Sequence, residues 1–81
     1  MDISGKTIAI TGAAQGIGAA LAHAAHRRGA RAVACLDLDD AKAKTVASEI
    51  KALPVTVDVS SEPDLARAIT QVETELGPID I

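Results

Sequence analysis

The chain has no Phe, Trp or Tyr among its 81 residues, so its core lacks the largest apolar side chains. Small residues must fill that core, alanine above all, which suits close packing of helices on a sheet. A chain this short buries only about 60% of its unfolded surface, and its core is correspondingly thin. Cysteine is nearly absent. Cys35 stands alone, which excludes an internal disulfide and removes any sign of secretion. It lies inside an apolar run and reads as a buried structural thiol rather than a nucleophile. Excess basic charge is missing too: a net charge of −3 argues against nucleic acid, whose phosphates demand clustered Lys and Arg. The one basic cluster, Arg27, Arg28 and Arg31, falls at the end of a predicted helix, where cations offset the negative end of the helix dipole. No apolar run approaches the ~18 residues that a membrane span needs. The N-terminus, Met1-Asp2-Ile3-Ser4-Gly5, lacks the basic-then-apolar layout of a signal peptide. These absences predict a soluble, cytoplasmic protein with no membrane partner.

Strand and helix signals alternate along the chain. Lys6 to Thr11 reads as a first strand, buried on both faces because its apolar character hardly alternates. A helix from about Ile17 to Arg28 follows, with Ile17, Ala20, Leu21 and Ala24 at helical spacing as its buried face and Gly29 as its stop. Ala32 to Asp37 makes the second strand. Asp39 or Asp40 caps the next helix, about Ala41 to Lys51, whose Ala43, Val46, Ala47 and Ile50 form an amphipathic stripe. Leu53 to Asp58 is the third strand, with Pro54 near its start. Ser61 then caps a helix that opens Glu62-Pro63-Asp64 and buries Leu65, Ala68, Ile69, Val72 and Leu76 until Gly77. A fourth strand starts at Ile79. Three strand–helix units in succession imply parallel strands joined by right-handed crossovers, hence an α/β, Rossmann-like, doubly wound sheet. Ending as a strand begins, residues 1–81 read as the N-terminal part of a single larger domain.

The chemistry concentrates where the first strand meets its helix. Thr11-Gly12-Ala13-Ala14-Gln15-Gly16-Ile17-Gly18 places three glycines in seven residues, more than a turn alone requires. Glycine lets backbone N–H groups approach a diphosphate closely, and the orphan donors of the helix's first turn, with the helix dipole, favour an anion. Asp37 closes the second strand nineteen residues beyond Gly18, about where a dinucleotide site needs an acid for ribose hydroxyls. Its carboxylate accepts from both hydroxyls and repels the extra phosphate of NADP. At ~1.5–3 kcal/mol per charge-assisted hydrogen bond, the preference reaches tenfold or more. His23 and His26, three apart on the first helix, have metal-ligand spacing but no third ligand nearby, and read as surface residues.

The glycine spacing is Gly-x-x-x-Gly-x-Gly with Thr11 in front. In this it resembles the short-chain dehydrogenase/reductase family in its Thr-Gly-x-x-x-Gly-x-Gly form, and the resemblance covers all 81 residues. Asp37, Asp58-Val59 and Gly77-Pro78-Ile79-Asp80 also fall in family register. The resemblance implies a cofactor site at Gly12, Ala14, Gln15, Gly16, Ile17, Gly18, Asp37, Leu38, Asp58 and Val59. Within it, the Asp58 carboxylate and the Val59 N–H read adenine. Relatives that prefer NADP place a basic residue just before the second glycine or just after the acid; Gln15 and Leu38 are uncharged, so NAD is expected over NADP.

The family's chemistry is carried by an Asn, a Ser and a Tyr-x-x-x-Lys pair. This sequence has no Tyr and no Asn, and Ser60 and Ser61 belong to a helix start. The expectation is therefore the cofactor-binding half of an NAD-dependent oxidoreductase acting on an alcohol or carbonyl, homo-oligomeric as relatives commonly are, with no catalytic residue among the 81. The alternative is a non-catalytic dinucleotide-binding module. A methyltransferase-like site fits less well with Thr11 and this glycine spacing.

Overall fold

The computed structural model describes residues 2–81. Its elements run β1 (Thr7–Thr11), α1 (Gly16–Arg27), β2 (Ala32–Asp37), α2 (Asp40–Ile50), β3 (Leu53–Thr56) and α3 (Glu62–Leu76). All three strands are parallel, in the order β1-β2-β3, with Thr11 opposite Leu36 and Asp37 opposite Thr56. The helices divide between the two faces of the sheet. One core joins α1 and α2 to Ile8, Val33 and Cys35; the other joins α3 to Ala34, Leu36 and Val55. Successive β2 side chains thus enter opposite cores, which is why its sequence is continuously apolar. This is the doubly wound, Rossmann-like arrangement that the alternating pattern predicts.

The third strand is shorter than expected, ending at Thr56, although the Val57 N–H still donates to the Asp37 carbonyl at 3.0 Å. Residues 79–81 form no strand of their own. Yet the Ile81 N–H donates to the Thr7 carbonyl at 3.3 Å and the Ala9 N–H to the Ile81 carbonyl at 2.9 Å. That is the parallel pairing pattern, along the edge of β1 opposite β2. Arg31 and Asp80 fasten this edge: the Asp80 carboxylate accepts from the Thr7 N–H at 2.9 Å, and the Arg31 guanidinium donates to the Thr7 hydroxyl and the Leu76 carbonyl. Arg31 therefore serves the C-terminus of α3 and not that of α1, a correction to the dipole reading. Arg27, with His26, does lie in the last turn of α1.

Two buried faces also differ from expectation. In α1 the buried residues are Ala22 and Ala25, with Ala19 packed beside them, while Ile17 and Leu21 are 81% and 54% exposed. The helix is turned by about one residue, 100°, from the face its largest apolar side chains suggest. The cause is separation: a Cβ at position 18 would lie 1.9 Å from the Gly12 carbonyl oxygen, so only small residues fit beneath α1. In α3, Leu65, Ala68, Val72 and Leu76 pack on the sheet, but Ile69 is open. β1 is not buried on both faces throughout: Ala9 and Ile10 are half-buried, and they border an apolar cavity of about 370 Å³ together with Ile8, Leu21, Ala25 and Ile81. The α2 stripe is buried as its spacing predicts, and Cys35 is fully buried, its thiol pKa pushed up by desolvation.

Candidate functional site

Parallel strands bring their C-terminal ends to one edge of a sheet. The turn after β1, Asp37 at the end of β2 and the Asp58-Val59 segment after β3 all leave that edge together. The glycine turn is built by two different requirements. Gly12 and Gly16 take positive φ, +67° and +59°, a conformation that costs other residues about 1–2 kcal/mol. A Cβ at either would meet nothing within 4 Å, so both face open space, as a cradle for a ligand must. Gly18 instead lets the helix touch the turn, through the 1.9 Å approach described above. Its role is backbone packing.

Beyond the turn, α1 begins without a cap. Gln15 occupies the N-cap position with no side-chain cap hydrogen bond, and the first turn holds no acid. By contrast Asp39 accepts from the Lys42 N–H at 3.1 Å, and Ser61 from the Asp64 N–H at 3.3 Å. The first-turn N–H groups of α1 are thus left facing outward with the positive end of the helix dipole. An anion suits that position, and a phosphate suits it well.

Asp37 joins the two halves of the edge. Its Oδ2 accepts from the Ala14 N–H at 3.0 Å, and its Oδ1 from the Asp39 N–H at 2.9 Å. The Ala13 N–H donates to the Leu36 carbonyl at 3.3 Å, so the turn is fastened to β2 at two consecutive residues. These amides, that of Asp39 first, hold the Asp37 carboxyl below the usual carboxylate range, and the Lys42 charge adds to the effect. A carboxylate offers about four lone-pair sites, so acceptor capacity remains for two hydroxyls. The Ala14 N–H is thus spent on Asp37.

After β3, the Asp58 carboxylate accepts from both the backbone N–H and the hydroxyl of Ser60, at 3.0 and 2.6 Å through Oδ1. The Asp58 N–H itself donates to Asp64 at 2.7 Å. Asp58 therefore shapes its own loop and keeps only its other oxygen unengaged. Leu38 and Val59 are 70% and 52% exposed, and with Ile17 they place three apolar side chains around this edge. The apolar cavity beside β1 includes neither the three glycines nor Asp37 and is a separate feature. His26 is exposed, and His23 lies 3.6 Å from Glu49 between α1 and α2. Among the described residues no group of three metal-ligating side chains occurs, and no helix is long and apolar enough to cross a membrane.

A turn of this form, uncapped and tied to an acid one strand away, has relatives. Residues 6–81 match the family model described as short chain dehydrogenase. The chain belongs to the short chain dehydrogenase family. It is 40% identical over 85 residues to a short chain dehydrogenase of Pseudocercospora fijiensis, covering 99% of this chain and 27% of that protein. It is 40% identical over 83 residues to a sorbitol dehydrogenase of Cereibacter sphaeroides, covering 100% of this chain and 32% of that one. A crystal structure of 3-ketoacyl-(acyl-carrier-protein) reductase from Brucella melitensis, complexed with NADH, superposes with a TM-score of 0.91 at 38% identity. That match covers 96% of this chain and 32% of the other. The chain thus spans about a third, or less, of the length of these short chain dehydrogenase relatives.

One contact beside the glycine turn is not legible in the sequence, that of Lys42. Its Nζ donates to the Gln15 Oε1 at 3.1 Å, bringing a cation to a corner that looked neutral from positions 15 and 38. It lies 27 residues from Gln15, on the exposed side of α2, and nothing local announces the contact.

Proposed function

We propose that this chain forms the adenosine–diphosphate side of the cofactor site of an NAD-dependent oxidoreductase that moves hydride between the nicotinamide and an alcohol or carbonyl. The observation that carries this reading is the pairing of an uncapped α1 terminus with a carboxylate, Asp37, that is fastened to the same turn. The first-turn N–H groups from Gly16 to Gly18 receive the diphosphate, and the open sides of Gly12 and Gly16 admit it. Asp37 receives the ribose hydroxyls with its remaining lone pairs. The exposed side chains of Ile17, Leu38 and Val59 supply apolar surface for the nucleoside, and the free oxygen of Asp58 accepts from the adenine amino group. NAD is favoured over NADP because a second anion beside Asp37 meets like charge. The NADH in the Brucella melitensis reductase crystal supports a nicotinamide dinucleotide as the ligand.

When bound, the nicotinamide supplies the hydride acceptor or donor. The side chains that exchange the proton are not among these residues, which include no tyrosine. Calorimetric titration of the protein with NADH and NADPH tests the reading. NADH should bind at least tenfold more tightly, as like-charge repulsion and two charge-assisted hydrogen bonds predict. Asp37→Ala should narrow that gap. Equal affinities in the unmutated protein overturn the NAD assignment, and failure to bind either overturns the nucleotide site.

A further inference from the structure

Lys42 stands where helix physics disfavours a cation, in the first turn of α2 beside the positive end of its dipole. Three carboxylates lie close in sequence, at Asp37, Asp39 and Asp40, yet among the described residues Lys42 makes no salt bridge. Asp40 pairs instead with Lys44 at 2.9 Å and accepts from the Thr56 hydroxyl at 2.5 Å. Asp39 is occupied by the Lys42 amide itself. The Lys42 ammonium is held by a neutral partner, the Gln15 amide oxygen. Its stem is anchored at one end by the capped amide and its tip at the other by the residue before Gly16. The result is a positive charge at the corner between the glycine turn and Asp37, whose hydrogen-bond partner is a neutral amide and which makes no contact-distance ion pair with the acid.

Resting on the reading that Asp37 holds the adenosine ribose, we infer that Lys42 is a specificity-determining residue, an anion contact for a phosphate on that ribose. Asp37 and Lys42 then act in opposition. The carboxylate excludes a ribose phosphate, and the ammonium, released from Gln15, receives it. The protein discriminates against NADP less than its acid alone would dictate. Neither position usually inspected for a basic residue carries one, so the contact arises from the fold.

The test compares ADP-ribose with 2′-phospho-ADP-ribose, which differ only by that phosphate, in calorimetric titrations of the purified protein and of Lys42→Met and Lys42→Arg variants. Because Lys42 is exposed, both variants should unfold at the temperature of the parent. Lys42→Met should weaken 2′-phospho-ADP-ribose about three- to fivefold, the scale of one exposed charge pair, and leave ADP-ribose within twofold. Lys42→Arg should retain most of the parent affinity for both. The Lys42→Met effect should shrink in high salt. Equal weakening of the two ligands would mean that Lys42 supports the turn or touches the diphosphate, and overturns the inference; so does no weakening of either. If the parent binds the two equally, the NAD preference fails while the Lys42 effect still reads out. If it binds neither, the nucleotide site itself fails.

Discussion

The three helices of this small fold begin in two different ways. α2 and α3 each open on a side-chain cap, Asp39 or Ser61, with Asp40, or Glu62 and Asp64, in the first turn. Their orphan N–H groups and dipoles are satisfied from within the chain. α1 opens on Gln15, which does not cap, behind a glycine turn and with no acid in its own first turn. The same backbone chemistry is closed in two places and left open in one. Two helices are finished by their own residues; the third is left open. The difference separates scaffold from site more sharply than any single glycine does, since glycines also end α1 and α3.

That contrast can be broken in several places. The largest effect should come from Gly18→Ala, whose new Cβ would collide with the Gly12 backbone. We expect about 3 kcal/mol of lost stability, at the upper end for overpacking, with loss of NADH binding; denaturant unfolding that leaves stability unchanged would show that the turn can yield. Removing the caps of the closed helices should cost about 1 kcal/mol each, for Asp39→Ala and for Ser61→Ala. Neither change should harm nucleotide affinity more than twofold, and urea midpoints with parallel titrations check both points.

Gln15→Asp sharpens the comparison from the other side. It gives α1 the kind of cap that α2 has, and should stabilise the ligand-free protein by about 0.5–1 kcal/mol while weakening NADH severalfold. An aspartate there that leaves NADH affinity intact would mean that the open terminus is not where the phosphates sit. The smallest effect is acid dependence. Asp37, Asp40 and Asp64 are all held below the usual carboxylate range, by the Asp39 amide, the Thr56 hydroxyl and the Asp58 amide respectively as the leading causes. Each contributes stability that is present above the unfolded carboxylate pKa of about 4 and is lost as pH falls through the lower folded value. Unfolding free energy should therefore be flat above about pH 5 and decline below about pH 4. A rise in that acid window would reverse the sign.

Local signals explain why some parts were legible and others were not. The β2 run, the α2 stripe and the caps at Asp39 and Ser61 were readable because period, burial and capping act within a few residues. The glycine spacing and Asp37 were readable for the same reason: the turn and the strand end are each local. The face of α1 was misread because hydrophobicity ranked Ile17 and Leu21 above Gly18, Ala22 and Ala25. Distance to the sheet decided otherwise, and a helix this close accepts only small side chains beneath it. Arg31 looked like a charge for its own helix, but the crossover carries it to Thr7 and Leu76.

The order of strands and helices, the cradle at 12–18 and the acid at 37 follow from residue types and their spacing, because each depends on backbone conformation or capping over a short span. Three things depend instead on how the elements come together. These are the small-residue face of α1, the fastening of the glycine turn to Asp37 through Ala14, and the meeting of Lys42 with Gln15. Each joins positions 6 to 27 residues apart, whose neighbourhood exists only once α1 and α2 have packed against the same face of the sheet.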